Sequence, residues 1–514
     1  MSAAIVAVVL AVTATQGPAA HAGTPDEPLV RQLTQALNQA PEVMSAQAEL
    51  QAAMADVDSA DYARYPRFEL GASGSNGESP SSGNPAPSVD RRLTASLRWT
   101  LWDFGKLDAR QRAAEYGRLA AVARVDQARE QFLRDLLVAY EEVSRYAMLV
   151  DVGRNSRHAM QELERLENQR VQLGGAGITD ARLAASRLAQ SANKSLQFEQ
   201  GLNEARLKLS SLLGAPLSQT ELPPLRVPEP WLSIPPDAIE RIVDESASLR
   251  AQRLNLDQAR ADIEVEESGQ LPAIDLTYTR RYEYPGAFAE KSKMGIQITF
   301  GTAAALESST RIQRAASRLL AEEQKLTTMR REALQKAQGG MQRVSLSGQR
   351  IQMLSSASAD ASAVVDARRK LNQAGRGTTL ALLDAQVEAN NTLIDWVQAL
   401  HDLRVTEIEL AVETGQLLPE PGQEEGWFRT LLSGADWRQQ VRQRLAAHQP
   451  DPPGHNAGDS QSPMRLQHAQ SFQIDLAGDA RQAPAPSSEE KFAQIRLFQI
   501  ELKLHPRPEG KWWW

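Results

Sequence analysis

Three kinds of residue in this chain could do chemistry, and their spacing decides which kind they do. The histidines His158, His401, His448, His455, His468 and His505 are scattered, without the short intervals that gather metal ligands. Cysteine is absent, so disulfides, thiolate metal sites and cysteine nucleophiles are excluded. Gly174-Gly175-Ala176-Gly177 is glycine-rich, but no Gly-Lys-Ser/Thr follows to complete a phosphate loop. Asp and Glu are abundant on helical stretches, where a charge run is usually a solvated face. No catalytic, cofactor or metal site is therefore assigned, and an enzyme is not expected. What remains is the chemistry of surfaces. Arg92, Thr94, Ser96, Arg98 and Thr100 alternate with Leu93, Ala95, Leu97, Trp99 and Leu101, a strand with one polar and one apolar face.

At Trp102-Asp103-Phe104-Gly105 the period changes. Ala128, Phe132, Leu136, Tyr140, Val143, Ala147 and Val150 step by threes and fours, one face of a helix. No proline lies between Ser88 and Ala215, so one helix can run from Lys106 to Leu173, roughly 100 Å long. The glycines at 174, 175 and 177 stop it. A second helix starts at Ile178-Thr179-Asp180, where a hydroxyl and a carboxylate suit the free N–H groups of a first turn. It ends at Gly214.

The pattern then starts again. Ala53, Asp56, Val57, Pro66, Phe68 and Leu70 recur as Ala259, Asp262, Ile263, Pro272, Ile274 and Leu276. Met294, Ile296, Ile298 and Phe300 alternate along a further strand, and a second proline-free helix is expected over 305–371. Ala374-Gly375-Arg376-Gly377-Thr378-Thr379 mirrors the first glycine turn. The expected organisation is a signal peptide over 1–22, a first repeat over 23–215 and a proline-rich linker over 216–236. A second repeat covers 237–418, and an extension with a polar linker covers 419–463. Within the first repeat, 73–90 reads as a loop rich in Gly, Ser, Pro and Asn. Ala20-His21-Ala22 supplies the small-x-small cleavage pattern of the leader.

Composition agrees with long helices, at 5% aromatic residues and a formal net charge of −7 with the signs mixed. That balance argues against nucleic acid, which requires a basic stripe. Nothing after the leader has the length of a transmembrane helix, so membrane insertion would use strands. Each repeat offers two strands of membrane-crossing length. The apolar positions Leu93, Leu97, Trp99, Ile296 and Ile298 are expected to face lipid, and the Arg, Ser and Thr face water. Four strands cannot close, and lipid tolerates no open sheet edge, so other copies must complete the sheet. Three chains give twelve strands. The fold class expected from the residues is thus a mixed α and β membrane protein, a trimeric twelve-stranded β-barrel with a long helical hairpin in each repeat.

This sequence resembles the TolC family of outer-membrane export channels over residues 28–418. The resemblance rests on Ala-Pro-Glu-Val at 40–43, Pro66 before a strand, Trp-Asp-Phe-Gly at 102–105, and Gly-Thr-Thr-Leu-Ala-Leu-Leu-Asp-Ala-Gln at 377–386, all within the duplicated architecture. It implies a homotrimer in the outer membrane of a Gram-negative bacterium, its twelve-stranded β-barrel continued by a long α-helical barrel that reaches into the periplasm and is gated at its periplasmic tip. The implied partners are a periplasmic adaptor (membrane fusion protein) and an inner-membrane transporter. By the same resemblance Asp384 is a gate and selectivity position, and Arg376, with Asp180 and Thr179, a latch across the closed tip. The family's other acidic position in this turn falls on Ala381.

Beyond 418 the resemblance stops. Residues 427–447 are amphipathic, and the tail is expected to be dispensable for conduction. Residues 464–514 read either as a truncated SPOR-like segment, which would reach peptidoglycan, or as a disordered tail. The function expected is a passive exit duct, leaning toward type I protein secretion over small-molecule efflux. The alternative is a periplasmic coiled-coil adaptor or scaffold that never enters the membrane.

Overall fold

The computed structural model describes residues 27–79, 86–217, 222–228, 235, 238–284, 291–299, 302–434 and 437–446. The leader at 1–22 and the SPOR-like reading of 464–514 lie outside these residues. The chain divides into two units, Met1–Asp451 and Pro452–Trp514, and every described residue belongs to the first.

Two short helices open the chain, α1 (Glu27–Gln39) and α2 (Pro41–Tyr62). Pro41 separates them, because a proline ring fits the first turn of a helix but not its interior. Strands β1 (Arg67–Ser79) and β2 (Ala86–Trp102) follow, then α3 (Lys106–Gln172) and α4 (Ile178–Leu213). After α5 (Ile239–Asp244) and α6 (Ala247–Ser268) come β3 (Ala273–Tyr284) and β4 (Lys291–Thr299), then α7 (Thr302–Gln373) and α8 (Thr379–Glu413). Two further helices, α9 (Glu424–Leu431) and α10 (Trp437–Ala446), end the described chain.

The strands form one antiparallel sheet in the order β1-β2-β3-β4. β1 and β2 run well into the stretch read from sequence as a loop, with Ser73 opposite Arg92 and Ser79 opposite Ala86. Gly and Ser weaken a strand signal because they carry no packing side chain, yet their backbone pairs as well as any other. A bulge between Thr100 and Trp102 leaves Leu101 as an extra residue of β2, with Thr100 opposite Asp275 and Trp102 opposite Ile274 of β3. Leu101 and Trp102 are both exposed beside it.

The strand-to-helix junction has a specific chemistry. Phe104 has φ 56° and Gly105 φ 89°, so the chain reverses through two left-handed residues. A phenylalanine there is strained and needs compensation. Asp103 provides it: its carboxylate accepts from the N–H of Gly105 at 3.2 Å and of Leu107 at 2.7 Å, which caps α3. Trp102 meets Phe104 edge to face, ring centroids 6.0 Å apart.

α3 is the axis of the packing. It lies against α2, α4, α6 and α8, whereas α7 packs mainly on α8 and α6. The largest core joins Leu29, Leu33 and Leu37 of α1 to Leu133, Leu136 and Tyr140 of α3 and Leu209 of α4. α8 contributes Ile408, and α9 contributes Phe428 and Leu431 to the same core. A second core sets Met148, Leu149 and Val152 of α3 against Phe198, Trp396, Val397 and Val441 of α10. A third, nearer the turns, contains Met160, Leu163, Ala184, Val365, Leu382 and Leu383. Residues 424–446, read from sequence within an extension, are therefore built into the core. Arg129–Glu424 at 2.9 Å and Arg429–Glu27 at 3.0 Å tie α9 to α3 and α1, and the Arg438 guanidinium donates to the Leu222 carbonyl.

Candidate functional site

Two surfaces can act on something that passes along the chain: the sheet and the paired turns at the far end of the helices. The register sorts the sheet into two faces. On one lie Glu69, Thr94, Ser96, Arg98, Asp275, Thr277, Thr279, Arg281 and Lys293. The Thr100 hydroxyl donates to Asp275 there at 2.8 Å. On the other, cross-strand rows run Phe68–Leu97–Tyr278–Met294 and Trp99–Leu276–Ile296, with Ile274 opposite Ile298. Leu93, Leu97, Trp99, Ile296 and Ile298 thus share one face. Ile296 and Ile298 are 67% and 65% exposed, so one chain leaves this face bare. Within one chain β1 and β4 are the outer strands of the sheet, each with a free edge of N–H and C=O groups.

Among the described residues, no helix is long and apolar enough to cross a membrane. That says nothing of strands. No His, Asp and Glu cluster of metal-binding type occurs among them either.

At the turns, Gly174 (φ 72°) and Gly375 (φ 69°) take the left-handed conformation that closes a helix C-terminus. Gly175 N–H reaches back to Arg170 O at 2.8 Å, and Arg376 N–H to Leu371 O at 3.0 Å. The next helices start differently. Thr378 caps α8 by accepting from Ala381 N–H at 3.3 Å, while Gly177 gives α4 no side-chain cap. Asp180 and Thr179 stand exposed in the first turn of α4.

Within one chain the two hairpins are linked by other contacts. Among the described residues, Arg376 and Asp180 of one chain are not joined. The link is Arg170, which donates to the Thr379 hydroxyl at 2.6 Å while facing Glu167 at 3.5 Å. Asn372 supports the same hydroxyl at 3.2 Å. Asp384 is not bare: Arg187 of α4 approaches it to 3.3 Å. Two turns further on, Lys194 donates to Asn391 at 3.1 Å. These pairs join residues about 200 positions apart on helices that start at the same end, so side chains at matching depths meet. Behind the Arg187–Asp384 pair, α3, α4 and α8 leave a cavity of about 180 Å³, walled by Val152, Met160, Phe198 and Ile394. Ser156, Ser191 and Asn390 are hydrogen-bonded across it.

Midway along α3 a second set of polar groups is buried. Burial pushes the Glu130 carboxyl up to about 8, with Asp126 adding to it, and pushes Glu141 up to about 7 against the opposing charges of Arg404 and Arg438. Glu407 is also raised by burial, although Arg404 donates to it at 2.8 Å. His401 is held neutral to about 4 by burial and by the charge of Arg145. These groups face packed helices, so their protonation is coupled to the packing of the core.

Residues 33–215 and 238–416 match the sequence profile of the family described as outer membrane efflux protein. The protease secretion protein PrtF of Dickeya chrysanthemi is 27% identical over 204 residues, which is 37% of this chain and 42% of that protein. The chain thus spans less than half the length of that relative. Among solved structures, the outer-membrane channel OprN superposes with a TM-score of 0.67 at 20% identity, covering 76% of this chain and 90% of the other. The outer membrane protein VceC from Vibrio cholerae gives a TM-score of 0.67 at 18% identity, covering 76% and 96%. At such identities the likeness is one of fold.

Proposed function

The chain belongs to the outer membrane efflux protein family, the TolC family, and from that premise we propose that three copies form one exit duct. In this reading each copy lends four strands to a twelve-stranded barrel, and α3, α4, α7 and α8 to a helical barrel in the periplasm. The observation that carries it is the sheet: two sorted faces and two free edges, continued directly by helical hairpins. Lipid tolerates no unpaired edge, so a membrane sheet of this kind must close on neighbours. An adaptor that stays in the periplasm would have no use for a sheet face on which Trp99, Met294, Ile296 and Ile298 are bare. The two halves of the chain act as structural repeats, 23–215 and 237–418, joined by the linker 216–236.

Conduction is passive, and the tip controls it. Asp384 lines the constriction and favours cations, with Arg187 offsetting part of its charge. Arg376 reaches Asp180 and Thr179 of a neighbouring hairpin and, as three copies, holds the tip closed. A periplasmic adaptor and an inner-membrane transporter supply the cargo. The similarity to a protease secretion protein supports protein export over small-molecule efflux.

The test is a pair of substitutions on one strand. Leu97→Arg should cost about 2–4 kcal/mol if that position lies near the bilayer midplane, read as loss of the heat-modifiable trimer from outer-membrane fractions. Ser96→Arg, on the other face, should leave the trimer intact. Equal tolerance at the two positions overturns the barrel.

A further inference from the structure

The apolar face of the sheet changes character along its length. Toward the helices its rows are Trp102–Ile274–Ile298, Trp99–Leu276–Ile296 and Phe68–Leu97–Tyr278–Met294. The next rows toward the β-hairpin ends are Leu70–Ala95–Arg280–Ser292, Ala72–Leu93–Tyr282, and one where Arg91 stands opposite Gly74. Two arginines thus enter a face whose other members are aliphatic, aromatic or small. Period-two parity puts them there, since Arg91 is two residues from Leu93, and Arg280 two from Tyr278. Arg281, the neighbour of Arg280, falls on the polar face opposite Thr94.

The surroundings of the two arginines fit a boundary. The Arg280 guanidinium lies 5.3 Å from the centre of the Tyr282 ring, a cation–π contact. Tyr278 and Tyr282 are 37% and 36% exposed, flanking it along β3. Arg91 is exposed, with Gly74 of β1 and Tyr284 of β3 opposite it and Leu93 two residues along its own strand. An arginine on a lipid face costs about 2–4 kcal/mol at the midplane but only about 0–1 near the interface. Arg280 stands six residues along β3 from Ile274, roughly 20 Å at the rise of an extended strand. At a strand tilt of about 40° that is about 15 Å along the membrane normal, short of an apolar band about 25 Å tall. Arg91 therefore stands at the outer boundary, and Arg280 reaches it by extending its long side chain outward. A guanidinium fork there matches a phosphate, which it can hold by two parallel hydrogen bonds.

We propose that Arg280 and Arg91, framed by Tyr278 and Tyr282, form a binding band for the phosphate groups of anionic glycolipid in the outer leaflet. This rests on the barrel reading above, in which this face meets lipid. Roughly four residues of strand separate the two arginines, so each grips its own phosphate.

The test uses the full-length protein purified in detergent from outer membranes. Phosphorylated glycolipid and its dephosphorylated form are added separately, and retained lipid is counted by native mass spectrometry beside the thermal midpoint of the trimer. Wild type should retain the phosphorylated form and gain stability from it. R91Q/R280Q should retain about tenfold less, the equivalent of one charge-assisted hydrogen bond, while still fractionating as a trimer. R91K/R280K should recover part of the loss, and R281Q, on the opposite face, should match wild type. Equal retention by R91Q/R280Q, an equal loss in R281Q, or equal stabilisation by inorganic phosphate overturns the proposal. A wild-type protein absent from outer-membrane fractions would instead defeat the barrel reading, before any lipid is added.

Discussion

The two longest helices of this protein have nearly the same length and opposite fates. α3, of 67 residues, is buried at intervals from Ala109 to Glu167, while α7, of 72 residues, buries only Ala315, Ala333, Ala337, Gly340, Ser358 and Val365 among its described positions. The exposed positions of α7 are not all polar: Leu320, Leu346 and Met353 are 57%, 63% and 65% exposed. One helix is therefore satisfied within its own chain, and the other carries apolar side chains that the chain does not cover. In the proposed trimer the difference separates what a protomer needs to fold from what it keeps for neighbours, and each half of it can be attacked alone.

The largest effect should come from removing what covers α3. Truncation after Leu418 takes Phe428, Leu431 and Val441 out of two cores, at about 1.5–3 kcal/mol for each large side chain. That is comparable to the whole stability of an ordinary domain. No folded protomer should survive it by proteolysis or circular dichroism. Truncation after Asp451 should be silent. The expectation that everything past 418 is dispensable is thereby narrowed to the residues beyond α10.

Point substitutions should reproduce the contrast on a smaller scale. Leu137→Ala, at a position 1% exposed on α3, should cost about 2–5 kcal/mol in urea unfolding. Leu346→Ala on α7 should cost the protomer under about 0.5 kcal/mol. Its effect should fall instead on the trimer, as faster dissociation in detergent. If both behaved alike, α7 would not be an interface.

Titration offers a gentler probe, because the buried acids lie on or against α3. Glu130 and Glu141 keep their protons in the folded state up to about 8 and about 7, whereas the unfolded chain releases them near 4.5. The folded state then holds the extra protons, so the contribution of these groups is lost as pH rises from about 5 to 8. His401 acts in the opposite sense: it stays neutral when folded, and its contribution is lost as pH falls from 6.5 toward about 4. Glu130→Gln should reduce the loss of stability between about pH 6.5 and 8, where His401 no longer titrates. His401→Gln should leave that interval in place and change the curve only below about 6.5.

The smallest effect should be at the tip, where the pairs are exposed and worth about 0–1 kcal/mol each. Arg187→Ala frees Asp384 and should raise cation preference in planar-bilayer recordings without altering stability. Asp384→Ala should lower it, and Arg376→Ser should raise basal conductance. Unchanged selectivity in both Arg187 and Asp384 variants would remove these residues from the pore.

Much of this arrangement could be read before any coordinates. The threefold and fourfold steps from Phe132 to Val150 mark the buried face of α3, and the period of two from Arg92 to Leu101 marks the two faces of β2. Both are local repeats set by backbone geometry. The glycine turns were legible because few other residues accept a positive φ. The extension of β1 to Ser79 was hidden by its Gly and Ser content. Arg187 and Arg170 were hidden for another reason: their partners Asp384 and Thr379 lie about 200 residues away, and a helix period says which side faces inward but not which side chain waits there. The same blindness applied to 424–446, whose amphipathic pattern announced a partner without naming it.

The bond between α9 and α1 also has a meaning in time. Glu27 waits for Arg429, and Leu29, Leu33 and Leu37 wait for Phe428 and Leu431. A chain made from its N-terminus therefore leaves the α9-facing side of α1 uncovered until about four hundred more residues have arrived. The seam closes only when α9 is made. Any copy interrupted earlier displays an unclosed seam, a mark of incompleteness that a chaperone or protease could read before assembly begins.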